Sequence, residues 1–279
     1  MALVGCFVTP HPPIVIPEIG GERIREAEPT LRAMQAVQQR TAVLEPDTIV
    51  LLSPHAALAS YQMGVSPASS YHGSFAAFQA PKVRLDVEGD REPAHALLAA
   101  AAGHGMPAAA TSLDGDIVDL DHGAMVPLVF LLGSLEKRCK VVLLSFSGLS
   151  MDEHVRFGEI VGATLLEAAP RVVYVASGDM SHRLLAEGPY GFDPHGPQFD
   201  HAVEAAFAKG DWDALVSIPL SVARAAGECG YRSLAVLRGL MSAVHAAGIR
   251  TENHLLSYEG PFGVGYLVGE VEFLQQGAE

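Results

Sequence analysis

Cysteine is scarce in this chain, with three in 279 residues. Cys6 lies in an apolar stretch, Cys139 among charges and Cys229 beside a glycine. An odd count with that spacing makes neither a zinc ribbon nor a disulfide framework, which excludes a disulfide-stapled secreted module and fits a reducing cytoplasm. Basic residues are also few: 18 Lys and Arg stand against 32 Asp and Glu, a formal charge of -14. A nucleic-acid footprint needs clustered cations, so the expected partner is a small molecule or a protein, not nucleic acid. No apolar run reaches the about 20 residues of a membrane-spanning helix. The start, Met1 to Val8, carries no basic leader before Pro10, so neither a signal peptide nor membrane association is expected. Internal repeats, low-complexity tracts and linkers are missing as well.

What is present is a chain with 49% hydrophobic residues, enough to bury a full core. Short apolar runs alternate with amphipathic stretches, the pattern of strands and crossover helices. Strands are expected at Leu3 to Thr9, Asp47 to Ser53, Val141 to Ser145 and Val172 to Ser177, the last three of the doubly buried type. An edge strand is expected at Val83 to Val87, and two terminal strands at Glu252 to Glu259 and Gly263 to Phe273. Helices are expected at Glu22 to Leu44, Glu92 to Ala102, Asp152 to Ala169, near Asp200 to Ala208 and at Tyr231 to Ala246. A further helix over Met125 to Leu132 accommodates Pro127 if it begins near Asp121 to Gly123. Gly188 to Gln198 is rich in glycine and proline and reads as a loop, a lid or pocket wall. The expected architecture is one α/β domain over residues 1–279, with a central mixed, largely parallel sheet flanked by helices on both faces.

Three segments place a histidine directly after an expected strand: Thr9-Pro10-His11-Pro12-Pro13, Ser53-Pro54-His55 and Ser177-Gly178-Asp179-Met180-Ser181-His182. Strand ends open onto the crevice where α/β proteins bind ligands, so three imidazoles delivered there point to one metal-competent site. Prolines around His11 stiffen its loop. Asp121-His122-Gly123 precedes an apolar helix, where Asp121 can cap and His122 can meet a substrate oxygen. Asp179 can orient a neighbouring imidazole or cap a helix, and Glu228, between two glycines at a helix start, can be a cap, a ligand or both. Two imidazoles and one carboxylate form the facial triad of non-haem Fe(II) oxygenases, a count that His11, His55 and Glu228 fill. His182 and His122 are then free for acid and base work. Tyr190 and Phe192 can line an aromatic pocket or pin their loop, and His195 shares that loop. The remaining histidines, His72, His95, His104, His154, His201, His245 and His254, read as solvated or hydrogen-bonded in place.

In order along the chain, Thr9-Pro10-His11-Pro12-Pro13, Ser53-Pro54-His55, Asp121-His122-Gly123-Ala124-Met125-Val126-Pro127-Leu128, Ser177-Gly178-Asp179-Met180-Ser181-His182-Arg183-Leu184 and Glu228-Cys229-Gly230-Tyr231-Arg232-Ser233 resemble the class III extradiol dioxygenases, LigB-like catalytic subunit type, and their Memo-like relatives. The resemblance implies Fe(II) held by His11, His55 and Glu228, with Zn(II) or Mn(II) able to substitute. It also implies an acid/base role for His182, a substrate or oxygen contact for His122, and ring cleavage of a small dihydroxylated or aminohydroxylated aromatic by O2. Substrate contacts fall to Tyr190, Phe192, Asp179 and His195. Memo-like proteins carry a Cys-Gly where Cys229-Gly230 stands, which keeps Cys229 and His182 open as third ligand. The alternative function is a metal-binding protein without ring cleavage, assembled with AMMECR-type or radical-SAM proteins. A homo-oligomer, with or without a small second subunit, is the expected assembly.

Overall fold

The computed structural model describes residues 2–57 and 59–274; of the domain expected over 1–279, residues 1, 58 and 275–279 lie outside the described residues. Its elements run β1 (Leu3–Thr9), α1 (Pro17–Gly20), α2 (Glu28–Leu44), β2 (Thr48–Leu52), β3 (Met63–Ser66), β4 (Ser70–Phe75), β5 (Ala80–Glu88), α3 (Arg91–Gly103), β6 (Ala108–Ala110) and β7 (Ile117–Asp119). They continue through α4 (His122–Leu132), β8 (Lys140–Ser145), α5 (Met151–Leu166), β9 (Val172–Ser177), α6 (His195–Lys209), α7 (Trp212–Val216), α8 (Leu220–Ala226), α9 (Tyr231–Ala246), β10 (Thr251–Glu259) and β11 (Tyr266–Phe273). Eight strands form one sheet in the order β10-β11-β1-β9-β2-β8-β3-β6, and β5-β4-β7 form a small second sheet. The centre, β1-β9-β2-β8, is parallel. β11 and β10 add antiparallel at one side, and β3 pairs antiparallel with β8 at the other.

Central strands are apolar on both faces because both faces are covered. Val50, Leu52, Val172, Tyr174 and Ala176 pack with α3, α5, α6 and α9 in one core. The alternate residues Ile49, Leu51, Val173 and Val175 pack with α2, α4 and the small sheet in the other. Each such fully buried aliphatic side chain contributes roughly 1.5–3 kcal/mol of transfer free energy. Helix starts follow local chemistry: Ser150 and Glu153 form a capping box on α5, and the Asp121 carboxylate caps α4 by accepting from the Ala124 N–H at 3.1 Å, with Pro127 inside the helix.

Several expectations are corrected. The stretch from Glu22 is a 3-10 helix over Gly21–Ala27 before α2 begins at Glu28, because Pro29, lacking an N–H, is accommodated in a first turn and not mid-helix. The glycine- and proline-rich loop ends at Pro194, since α6 starts at His195 and takes in His195 to Gln198. The helix after Ser150 stops at Leu166 instead of Ala169. β3, β4, β6, β7, α7 and α8 were not foreseen; they are short, and β3, β6 and β7 pair only across long sequence separations that local pattern does not carry.

Candidate metal centre

Three remote segments meet because β1, β9 and β2 are adjacent and parallel, so their C-terminal ends emerge side by side. His11 lies just beyond β1, Asp179 and His182 just beyond β9, and His55 just beyond β2. The two imidazoles face one another with His11 Nε2 and His55 Nε2 3.1 Å apart. His122, the first residue of α4, lies with its ring stacked on His55 at 4.4 Å and edge-on to His11 at 5.4 Å.

The protonation of His11 is settled by its neighbour. Ser177 Oγ–H donates to the Gly123 carbonyl at 2.6 Å, so its lone pairs are left to accept from His11 Nδ1–H at 3.0 Å. The other ring nitrogen, Nε2, is therefore the bare one, aimed at His55. Fixing the outer N–H in this way is how proteins orient metal-binding imidazoles. Burial, reinforced by His55 and His122, holds the His11 pKa well below its ordinary value; burial also lowers His55. Both rings are thus neutral and competent as ligands at neutral pH.

Cys229 offers a third donor atom beside the two imidazoles. Its Sγ lies 3.7 Å from His11 Nε2, and His11, His55 and Cys229 offer ligand atoms all within 4.8 Å of one another. The cysteine is brought there by a close backbone approach. A Cβ on Gly178 would meet Gly230 Cα at 2.2 Å, so two glycines let the segment after β9 touch the turn before α9. Across that contact the Asp179 N–H donates to Cys229 Sγ at 3.3 Å and the Cys229 N–H donates to the Asp179 carbonyl at 3.3 Å. Gly178 serves this close approach.

Glu228 stands outside this donor set. Its carboxylate accepts from the Tyr231 N–H at 2.6 Å, which caps α9, and burial pushes its pKa up to about 7. Of its sequence-derived readings, a cap, a ligand or both, the geometry displays the capping contact. Asp179 accepts from the backbone N–H of His11 at 2.9 Å, and its Oδ2 lies 3.7 Å from His11 Nε2; the hydrogen bond on the ring itself is with Ser177. Burial raises its pKa to about 6. An anionic Asp179 at that distance adds negative charge beside any cation held by the three donors.

The donors fit a divalent transition ion. Two neutral imidazoles with a thiolate are a borderline-soft set suited to Zn(II) or Fe(II), and unsuited to Mg(II) or Ca(II). Without a cation, burial raises the Cys229 thiol pKa well above its ordinary value. Metal binding there releases a proton.

His182 lies beside the donors and not among them. Its ring packs against Tyr190 at 5.1 Å, and its buried Nε2 has no hydrogen-bond partner among the described residues. Burial lowers its pKa while Asp179 partly restores it. His55 is exposed, so the centre opens to solvent on that side, next to a cavity of about 140 Å³ lined by His55, Asp119, Asp121 and Ser145. His195 is paired with Asp193 at 2.8 Å at the start of α6. Phe192 is exposed and joined to Leu184 by a β-bridge. Neither makes a contact with the histidine cluster that the structure records. Among the other histidines, His154 is fully buried and hydrogen-bonded in place to Ser150.

Sequence reasoning passed over Ser177 and Ser53. Ser53 Oγ–H donates to Asp121 at 2.7 Å and ties the β2 end to the α4 cap. Both serines end a buried strand beside a motif histidine or aspartate, which is the one signal that marks them.

The family model described as catalytic LigB subunit of aromatic ring-opening dioxygenase matches residues 5–269. Protein CA_C1420 of Clostridium acetobutylicum is 35% identical over 277 residues, which is 98% of this chain and 58% of that protein. The chain therefore spans less than two thirds of that relative's length. An uncharacterized protein from Escherichia coli K12, JW3007, has a crystal structure that superposes with a TM-score of 0.65 at 17% identity, covering 96% of this chain and 99% of the other. That likeness is one of fold alone. No helix among the described residues is long and apolar enough to cross a membrane. With the match running through every segment of the histidine centre, the chain belongs to the LigB family.

Proposed function

We propose that this protein is a metal-dependent dioxygenase, using Fe(II) and O2 to open the ring of a small dihydroxylated or aminohydroxylated aromatic. The observation that carries this reading is the pair of imidazole Nε2 atoms 3.1 Å apart, one fixed as a bare acceptor by Ser177, with two further histidines alongside. A ferrous ion held by His11, His55 and Cys229 would supply Lewis acidity toward the two ring oxygens and electrons for dioxygen. The chain's own groups do the rest. His182 Nε2, buried and unpartnered, takes the proton of a substrate hydroxyl as it turns toward the centre and returns it to the product. His122, at the positive end of α4, donates to or accepts from a substrate oxygen on the His55 side. Asp179 keeps His11 in place through its backbone N–H.

A second reading is favoured by Cys229. A thiolate in place of the carboxylate of the facial triad suits a metal-binding protein without ring cleavage, working in an assembly with AMMECR-type or radical-SAM partners. Anaerobic loading with Fe(II), then exposure to air with a panel of catechols and aminophenols, separates the two. Oxygen uptake with a yellow semialdehyde is expected. Stoichiometric iron with no oxygen uptake on any substrate would overturn ring opening in favour of the second reading.

A further inference from the structure

Two exposed aromatic rings flank the histidine cluster, each against one of the two histidines that hold no place in the donor set. Phe78 is 42% exposed and its ring centroid is 6.2 Å from that of His122. Tyr190 is 61% exposed and its centroid is 5.1 Å from that of His182. Both are built into position. Phe78 ends a 3-10 turn closed by Gln79 in the left-handed region and leans edge-on against the buried Phe75 at 5.8 Å. Tyr190 sits at the tip of a loop whose base is joined by the Leu184 and Phe192 bridge, with Gly191 at φ 71° directly after it. Both rings stay exposed beside the cluster and belong to neither core.

We infer that Phe78 and Tyr190 are the aromatic walls of the substrate site, one on each side of the metal centre. They select a flat ring by stacking. The inference rests on the ring-opening reading and adds the residues that reading leaves open. Phe78 is a new assignment: nothing in its own sequence, Phe75-Ala76-Ala77-Phe78, marks it, and only the turn after β4 carries it to His122. Aromatic faces prefer offset stacking, so the preference for a flat ring comes from these two side chains.

The test uses the zinc-loaded protein, because redox-inert zinc leaves a bound diol unreacted. Uptake of 4-nitrocatechol is followed by its absorbance shift, and catechol competes against it. Phe78→Ala and Tyr190→Ala are each expected to weaken binding roughly threefold to tenfold, with zinc affinity unchanged. Phe78→Leu and Tyr190→Leu should fail to restore it. Binding that ignores all four substitutions, or full restoration by leucine, overturns this inference alone. A wild-type protein that holds zinc yet takes up no catechol overturns the ring-opening reading and this inference with it.

Discussion

His11 and His182 both follow central parallel strands, and their surroundings differ in a way that separates two kinds of work. His11 is 2% exposed and held from several directions, by Ser177 on the ring and Asp179 on the backbone, with His55 and Cys229 facing its Nε2. His182 keeps a buried Nε2 with no partner among the described residues and packs against an exposed tyrosine. A ring whose tautomer and direction are locked suits a ligand, which must not move. A ring with one unpaired nitrogen suits a proton carrier, which has to change partners during a reaction.

The largest test of this contrast is His11→Ala, which is expected to abolish stoichiometric binding of Zn(II) or Fe(II) measured by calorimetry. Wild-type stoichiometry in that variant would break the distinction at its root. His182→Gln should leave metal binding as it was and slow ring opening by about 10²- to 10⁴-fold; parallel loss of metal would make His182 a ligand instead.

A finer test concerns the shell around His11. Ser177→Ala frees the His11 tautomer and is expected to weaken metal binding by about 10- to 100-fold, with Cys229→Ala at least as damaging. Glu228→Gln should leave metal affinity unchanged, because that carboxylate caps α9. The facial-triad reading of the sequence expects the reverse, strong damage from Glu228→Ala and little from Cys229→Ala. Metal titrations of both variants decide between them.

The smallest effect belongs to Asp200, behind the His182 segment, which accepts from the Ser181 N–H at 2.7 Å and the Tyr258 hydroxyl at 2.6 Å. Burial pushes its pKa up to about 6 from 3.8, so the folded state holds this proton more tightly than the unfolded chain does. Its contribution is full below about pH 4 and is lost as pH rises through about 6, at most about 3 kcal/mol. Urea unfolding of the metal-free protein between pH 4.5 and 7.5 should show that decline in wild type and a flatter profile in Asp200→Asn. An identical pH slope in both would remove Asp200 as the titrating group.

Much of this was legible in local pattern. β1 and β9 occupy the expected residues, and α9 begins at Tyr231 as expected, since buried strands are continuous apolar runs and α9 has a regular apolar face. Of the small sheet only part of β5 was legible: β7 is held by pairing with the distant β4, and β4, though it forms a hairpin with β5, carries His72 and Gly73 in place of a regular apolar alternation. At the centre, each Pro-His strand end was readable as a candidate. The choice between Glu228 and Cys229 was not, since adjacent residues share the same local signal.

By itself, then, the chain's order of residues determined which strands are buried on both faces, and which histidines stand at strand ends, since periodicity and strand termination are short-range properties. Tertiary structure alone decided that β9 lies between β1 and β2, that Gly178 touches Gly230, and that sulfur therefore faces His11 where a carboxylate was expected. Those facts depend on contacts spanning 50 residues or more in sequence, and no local window holds the distances that set them.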